Sequence, residues 1–439
     1  MTVRIGVIAD DLTGATDIAG FLAANGLRTV QLNGASPEDA ADARTRGLSD
    51  TDAIVIGLKS RSLPAAEAVS LSRSALAELR AAGAERIIFK YCSTFDSTPA
   101  GNIGPVADAL LAELDSDFTV VCPALPVNGR TVYQGNLFVW EQPLHESGMR
   151  HHPVTPMTDA NLVRLLGAQT EASVGLVPHA VIDAGPEAVR ARLKELRAEG
   201  VRYAVLDCVS DRHLDVIGEA VIDLPLVTGG SGIGAGLARA VSEHTGAAPA
   251  AQWQPLAGRT VVLSGSSSSM TNRQVARYRE LAPSWPLDVA RLLDAPGESR
   301  AEVLDWVRAQ SETGPAPLVF ATAAPEQVRA LQDAHGAELT RTAIEAFFGA
   351  LAVDLAEHGF HRFIVAGGES SGAVTEALGV SGFALGPQIA PGVPWVRSLD
   401  GALDLALKSG NFGAEDFFAR AQGLANTETE TETEAEDHR

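Results

Sequence analysis

The sequence predicts an α/β protein of two domains, each a mainly parallel sheet flanked by helices. Three observations predict it. Short apolar runs recur along the chain, each ending in a polar or glycine-rich loop and then a stretch with helical spacing, which is the pattern of βα units. The 439 residues exceed the size at which a single hydrophobic core stops growing. Residues 245–258, rich in Ala, Pro and Gly, break the periodicity once. The domains are therefore placed at 1–244 and 259–424, with 245–258 as linker. Residues 425–439 read as a disordered tail, with six carboxylates against one arginine.

Composition narrows the function classes. A net charge of −21 leaves little basic surface for nucleic acid. The three cysteines, Cys92, Cys122 and Cys208, have neither CxxC nor metal-site spacing, which fits a reducing cytoplasm. No apolar run approaches the roughly 18 residues of a membrane span, and MTVRIGVIADD lacks the apolar core of a signal peptide. The expectation is a cytoplasmic protein with no nucleic-acid or membrane partner and no metal-ligand set. A homodimer is one assembly left open.

In chain order, Val3–Ala9 is a buried strand followed by Asp10-Asp11-Leu12-Thr13-Gly14 and a helix. Two adjacent carboxylates at a strand end need a cation, a metal or hydrogen-bond donors, although Asp11 alone also suits a helix N-cap. The strand Ala53–Leu58 ends in Lys59-Ser60-Arg61-Ser62, where an arginine can grip a carboxylate through two parallel bonds. Pro64 then opens a helix. Ile87–Phe89 leads into Lys90-Tyr91-Cys92-Ser93-Thr94-Phe95-Asp96-Ser97-Thr98, and helical spacing resumes from Ala107. Lys90 offers a cation, Asp96 a carboxylate, and Ser93 with its neighbours adaptable hydroxyls, a set suited to a small oxygen-rich anion. After the strand Phe118–Cys122, an Asn128-Gly129 turn presents Arg130, and TVYQGNLFVW reads as a small hairpin. Helix Glu187–Glu199, strand Val201–Leu206, helix Asp211–Ala220 and strand Leu224–Val227 follow. The segment Thr228–Ala235 contains a G-x-G-x-x-A match without the downstream acid of a ribose site, so it reads equally as a closely packed helix start.

The second domain opens with strand Arg259–Leu263, a turn Ser264-Gly265-Ser266-Ser267-Ser268-Ser269 and a helix from Thr271. Strand His361–Ala366 runs into Gly367-Gly368-Glu369-Ser370-Ser371, and a third such turn spans Lys408–Gly413. Strand, glycine or hydroxyl turn, then helix is a phosphate-binding design. G-x-x-x-x-G-K-[ST] is absent, which excludes a P-loop NTPase.

Together, IADDLTGATD (Ile8–Asp17), KSRS (Lys59–Ser62), KYCSTFDST with GNIGP (Lys90–Pro105) and PALPVNGRTVYQG (Pro123–Gly135) resemble the four-carbon acid sugar kinases. SGS (Ser264–Ser266), GGESSG (Gly367–Gly372), APGVPW (Ala390–Trp395) and KSGNFG (Lys408–Gly413) extend the resemblance to residues 3–424. FDSTPAGNIGP and SGMRHHPVTPM look most like the 3-oxo-tetronate kinases, with D-threonate and D-erythronate kinases next. The resemblance implies ATP-dependent phosphorylation of the 4-hydroxyl of a four-carbon sugar acid, with Mg²⁺ travelling with ATP. It implies a sugar-acid site on the N-terminal domain, ATP on the C-terminal domain, and an active site in the interdomain cleft. Carried onto this chain, nucleotide contacts fall at Ser264, Ser266, Gly367, Gly368, Glu369, Ser370 and Gly410. The one departure, Ser370 where many relatives have Thr, keeps the hydroxyl.

Substrate contacts are expected at Asp10, Arg61, Lys90, Ser93 and Arg130, with Arg61 on the substrate carboxylate. Asp96, followed by Asp11, is the candidate catalytic carboxylate. Two other classes remain. A dehydrogenase has only the Gly230–Ala235 half-match in its favour, and a sugar-acid binding protein leaves the Gly/Ser turns of the second domain unexplained.

Overall fold

The structure, a computed structural model, describes residues 3–34, 51–96, 98–151, 155–245 and 253–425. Ser97, half of the expected linker (246–252) and nearly all of the expected tail (426–439) lie outside the described residues. The chain divides into two compact units, Met1–Ala250 and Ala251–Arg439.

The first unit contains β1 (Ile5–Ala9), β2 (Thr29–Asn33), β3 (Ala53–Gly57), β4 (Arg86–Lys90), β5 (Thr119–Cys122), the hairpin strands β6 (Arg130–Tyr133), β7 (Asn136–Val139) and β8 (Gln142–Pro143), then β9 (Ser173–Val177), β10 (Val201–Leu206) and β11 (Leu226–Gly229). Every residue of β1 and β3 is buried, as strands covered on both faces require. Eight strands pair in parallel in the order β2-β3-β1-β4-β11-β5-β10-β9, while β6-β7-β8 form a separate antiparallel sheet. From β1 the chain moves two places to β2, returns to β3 beside β1, then crosses to β4 on the other flank. The order thus reverses between β1 and β4, and ligands of such sheets bind outside the carboxyl ends at this reversal.

The glycine run after β11 has a packing explanation. β11 extends to Gly229, two residues past the predicted end, and helix Ser231–Thr245 follows. A Cβ on Gly229 would lie 2.1 Å from the Cys122 carbonyl oxygen, and one on Gly232 would lie 2.3 Å from that of Ala124. These glycines let the helix start press against the β5 loop. The G-x-G-x-x-A match is a close-packing device.

The second unit contains β12 (Arg259–Ser264), β13 (Ser284–Pro286), β14 (Leu318–Phe320), β15 (Phe360–Ala366), β16 (Gly382–Ala390), β17 (Val393–Ser398) and β18 (Asp404–Lys408). Their order is β13-β14-β12-β15-β18-β17-β16, parallel from β13 to β18, with β17 antiparallel to both neighbours. Alternate residues feed two cores, one on each face. Val261, Leu263, Phe363 and Val365 join Phe348 and Leu351, whereas Val262, Ile364 and Ala406 join Trp395 and Phe417. The first four strands repeat the order of β1 to β4. The reversal here falls between β12 and β15.

Glycine at 236 is required by the same close packing in the first unit, since a Cβ there would lie 2.0 Å from the Leu214 carbonyl oxygen. Gly236→Ala should lower stability by about 1–3 kcal/mol through overpacking. Denaturant unfolding checks this, and an unchanged midpoint would show that helix Asp211–Ala220 can retreat without cost.

Candidate active site

In the first unit the loops after β1, β3, β4 and β11 leave the same edge of the sheet because the strands are parallel. Asp10, just past β1, is buried. Arg61 Nε donates to Asp10 Oδ2 at 2.9 Å and Nη2 to Asp10 Oδ1 at 2.8 Å, while Nη2 also lies 2.9 Å from Asp11 Oδ1. Burial pushes the Asp10 carboxyl up, against the pull of Arg61 and Lys90. Burial would lower the Arg61 pKa, but Asp10 and Asp11 hold it above its usual value. A guanidinium does not lose its proton, and two parallel bonds favour the carboxylate, so the pair is ionised.

The Nε–Nη2 edge of Arg61 is engaged by Asp10 within the protein. Asp10 likewise has both oxygens engaged, so its part is to hold Arg61 and the loop beyond β3. The backbone N–H groups of Ser60 and Arg61 donate to the Asp10 carbonyl, completing that junction. The physical reason lies in the two adjacent acids, which need a cation and find the one at the end of the neighbouring strand.

Asp11 has extended backbone (φ −144°) and its Oδ1 accepts the Gly14 N–H at 2.7 Å, so it is also the N-cap of helix Leu12–Ala24. Lys90 is buried and donates to the Tyr91 carbonyl at 3.1 Å. A Cβ on Gly14 would sit 2.7 Å from Lys90 Nζ and 2.3 Å from Asp11 Oδ1, so only glycine allows the helix start to close over the ammonium. Sequence reasoning missed Asp17. Burial pushes its carboxyl up, Lys90 pulls it down, and its Oδ2 accepts from Ser231 Oγ at 2.5 Å. Its place within IADDLTGATD was the available signal.

The loop after β4 is pinned by aromatic packing. The buried rings of Tyr91 and Phe95 meet edge to face at 5.4 Å, and Phe95 takes φ 53°, a left-handed conformation rare for a bulky residue. This turn brings the Asp96 carboxylate to the Thr94 hydroxyl, which donates to it, with Ser93 half-buried alongside. Burial, then the Asp96 charge, pushes the Cys92 thiol up, which disfavours a thiolate nucleophile. Asn102, also missed, is buried just before helix Ile103–Glu113 and reaches the carbonyls of Ser60, Arg61 and Leu63 at 2.9, 3.2 and 3.1 Å. It ties the β4 loop to the Arg61 loop.

Arg130 opens β6, past the end of β5. Its Nη1 donates to the Asn128 carbonyl, its Nε is buried without a hydrogen-bond partner, and among the described residues no carboxylate pairs with it. His179, Asp183 and His213 also converge, with ligand atoms within 4.8 Å. However, His213 Nδ1 accepts the Val209 N–H at 3.2 Å, so Nε2 carries the proton and faces Asp183 Oδ1 at 3.2 Å. That ring offers a metal no lone pair.

In the second unit three turns meet because β12, β15 and β18 are adjacent and parallel. Ser264 is fully buried and its Oγ bonds Thr322 Oγ1 at 2.7 Å, so its hydroxyl is engaged by protein. The N–H groups of Gly265 and Ser266 donate to the Ala366 carbonyl. Ser268 caps helix Ser269–Tyr278 and donates to the Gly410 carbonyl at 2.6 Å. Gly367, with φ 130°, precedes helix Gly368–Ala377, and a Cβ on it would crowd Ser266 N at 3.2 Å and Ser370 Oγ at 3.1 Å. A Cβ on Gly410 would meet Ser266 Oγ at 2.5 Å. Gly368 and Glu369 are exposed, whereas Ser370 is buried. Two helix starts, beside hydroxyls and glycines, thus lie together at one sheet edge, an arrangement chemically suited to an anion.

Two family models cover most of the chain, one described as a sugar-binding N-terminal domain (residues 5–237) and one as a nucleotide-binding C-terminal domain (residues 261–418). A 3-oxo-tetronate kinase of Brucella melitensis is 54% identical over 430 residues, covering 97% of each chain. The Salmonella typhimurium enzyme of that name is 54% identical over 96% of this chain and 99% of its own. Among solved structures, a Haemophilus influenzae protein matches with TM-score 0.88 at 50% identity, covering 96% of this chain and all of its own. A Salmonella typhimurium LT2 protein, provisionally described as a tRNA synthase, matches with TM-score 0.89 at 52% identity, covering 96% and 99%.

Asn102→Ala would strip three carbonyls of their shared donor. Stability should fall by about 1–3 kcal/mol, the cost of leaving buried acceptors unmade. Chemical denaturation reads this directly, and a loss below about 0.5 kcal/mol would mean that water replaces the amide.

Proposed function

The chain belongs to the four-carbon acid sugar kinase family, and from that premise we propose that it transfers the γ-phosphoryl group of ATP to the 4-hydroxyl of 3-oxo-tetronate, giving 3-oxo-tetronate 4-phosphate. The observation that carries the reading is the full-length 54% identity to 3-oxo-tetronate kinases. The two reversal points, one with cations and carboxylates and one with glycine and hydroxyl turns, supply the parts such a reaction needs. No helix among the described residues is long and apolar enough to cross a membrane. ATP as donor and three free cysteines support a cytoplasmic setting.

Phosphoryl transfer rests on positioning and charge stabilisation, plus a group that orients the attacking hydroxyl and accepts its proton. In this reading Lys90 and Arg130 hold the sugar-acid carboxylate, with Ser93 offering a hydroxyl contact. Arg61 and Asp10 hold the loops, and Asp11 is tied to the helix start and to Arg61. Asp96 is the better base, since Thr94 engages one carboxylate oxygen and the second can accept the 4-hydroxyl proton. On the nucleotide side, Ser266, Gly367, Gly368, Glu369, Ser370 and Gly410 face the phosphates, with Ser264 bracing the turn from below. Mg²⁺ enters as part of the nucleotide substrate, coordinated by phosphate oxygens and water.

A coupled ADP-release assay with 3-oxo-tetronate, D-threonate and D-erythronate tests the substrate. Highest kcat/KM is expected for the 3-oxo acid, and a preference for threonate or erythronate would reassign the enzyme within its family. Asp96→Asn should lower kcat by about 10²–10⁴-fold with ATP binding intact, whereas near-normal turnover in a folded variant would pass the role to Asp11.

The ATP site has its own probe in Gly368→Val. A Cβ at 368 would meet only Ser409 Oγ, at 3.8 Å, so the fold accommodates a side chain there. That side chain would occupy the space where phosphate meets the helix start. The ATP KM should rise at least tenfold at unchanged thermal stability, and an unchanged KM would remove this turn from the site.

A further inference from the structure

The phosphate-facing turns lack a Walker lysine, yet a lysine lies beneath them. Lys408 ends β18 and is 1% exposed. Its Nζ donates to Thr271 Oγ1, the Ser409 carbonyl and the Gly410 carbonyl, each at 3.0 Å. Thr271 lies in the first turn of helix Ser269–Tyr278, and its hydroxyl donates to the Gly410 carbonyl at 2.7 Å. The Gly367 N–H donates to the Lys408 carbonyl at 2.8 Å, so one residue touches all three turns.

The ammonium has no carboxylate partner among the described residues. The Phe417 ring lies 5.8 Å away on helix Phe417–Leu424. Of the nearby acids, Glu415 pairs at the surface with Arg273 on helix Ser269–Tyr278 at 3.2 Å, and Asp416 is exposed. From β15 the residue in register is Ala366, which carries no charge. A buried cation held only by neutral oxygens is costly unless an anion arrives.

We propose that Lys408 is the positioning residue of the nucleotide site, its ammonium binding the three turns into one cradle and supplying positive charge from behind the polyphosphate, so that ATP binding takes up a proton at alkaline pH. The inference rests on the kinase reading. Burial lowers the Lys408 pKa to about 8. A polyphosphate at the helix start favours the charged form, so the complex holds its proton to higher pH than the free protein does. Below about pH 7 both states are charged and no uptake occurs. As pH rises past 8 the free protein deprotonates first, and affinity falls.

Calorimetry of ATP binding to the full chain, in two buffers of different ionisation enthalpy from pH 6.5 to 9.5, tests this. Wild-type protein should take up a proton near pH 8–9, and affinity should drop by up to about tenfold for each unit by which binding raises the pKa. Lys408→Met should weaken ATP binding at pH 7 at least tenfold and abolish the uptake, with sugar-acid affinity unchanged. Lys408→Arg keeps a charge that does not titrate, so it should restore binding without pH dependence. Should Lys408→Met fail to fold, the wild-type uptake and the Lys408→Arg profile decide. Tight ATP binding with no uptake in the wild type, or an unaltered profile in Lys408→Arg, overturns the inference alone. Failure of the wild-type protein to bind ATP at any pH overturns the kinase reading with it.

Discussion

Parallel pairing sends every strand of a βα series out through the same edge, and a reversal of strand order leaves two neighbouring loops diverging there. Both units are organised by this constraint. Between β1 and β4 the diverging loops carry Asp10, Asp11 and the Lys90–Asp96 segment, while between β12 and β15 they carry the Ser264–Ser268 and Gly367–Ser371 turns. A first strand, a second placed two positions away, a third returning beside the first and a fourth crossing over occur in both. One topological rule thus yields a charged site in one unit and a glycine and hydroxyl site in the other, the difference lying wholly in the loop residues.

Both sites place a buried lysine at the carboxyl end of a strand, in a chain of net charge −21. Lys90 lies under the Gly14 helix start with Asp11 and Asp17 nearby, so its charge is partly answered within the protein. Among the described residues, Lys408 hydrogen-bonds only neutral oxygens. A dry interior screens charge poorly, so a cation left unanswered there acts on whatever anion docks above it. The Asp10–Arg61 pair serves the opposite purpose, because its members answer each other and lend rigidity to the β1 and β3 loops.

The site was partly legible in the sequence. Glycine and serine turns after apolar runs are local features, which is why the Ser264–Ser269, Gly367–Ser371 and Lys408–Gly413 turns could be grouped before the structure showed them side by side. Partner choice was not legible. Arg61 looked free because nothing in KSRS says that Asp10, 51 residues earlier, lies at the same edge. Asn102 and Asp17 sit inside helical or pre-helical stretches whose spacing reports burial and hides what their polar ends touch. The Gly230–Ala235 match left two readings open for the same reason, since a glycine needed against a carbonyl and one needed against a pyrophosphate look alike in one dimension, and the structure shows the carbonyls.

By itself the sequence determined the α/β class, the strands ending at Ala9, Cys122, Leu206 and Ala366, the small hairpin and the family, because apolar periodicity and turn chemistry are local properties of a chain. It did not disclose β2, β9, β13, β14, β16, β17 or β18; β18, for example, begins at Asp404, whose buried carboxylate is satisfied by Arg397 on β17. Only the tertiary structure decided which cations are answered and which are not. That distinction depends on distances between residues far apart in sequence, and burial strengthens each such interaction in proportion to the water it removes.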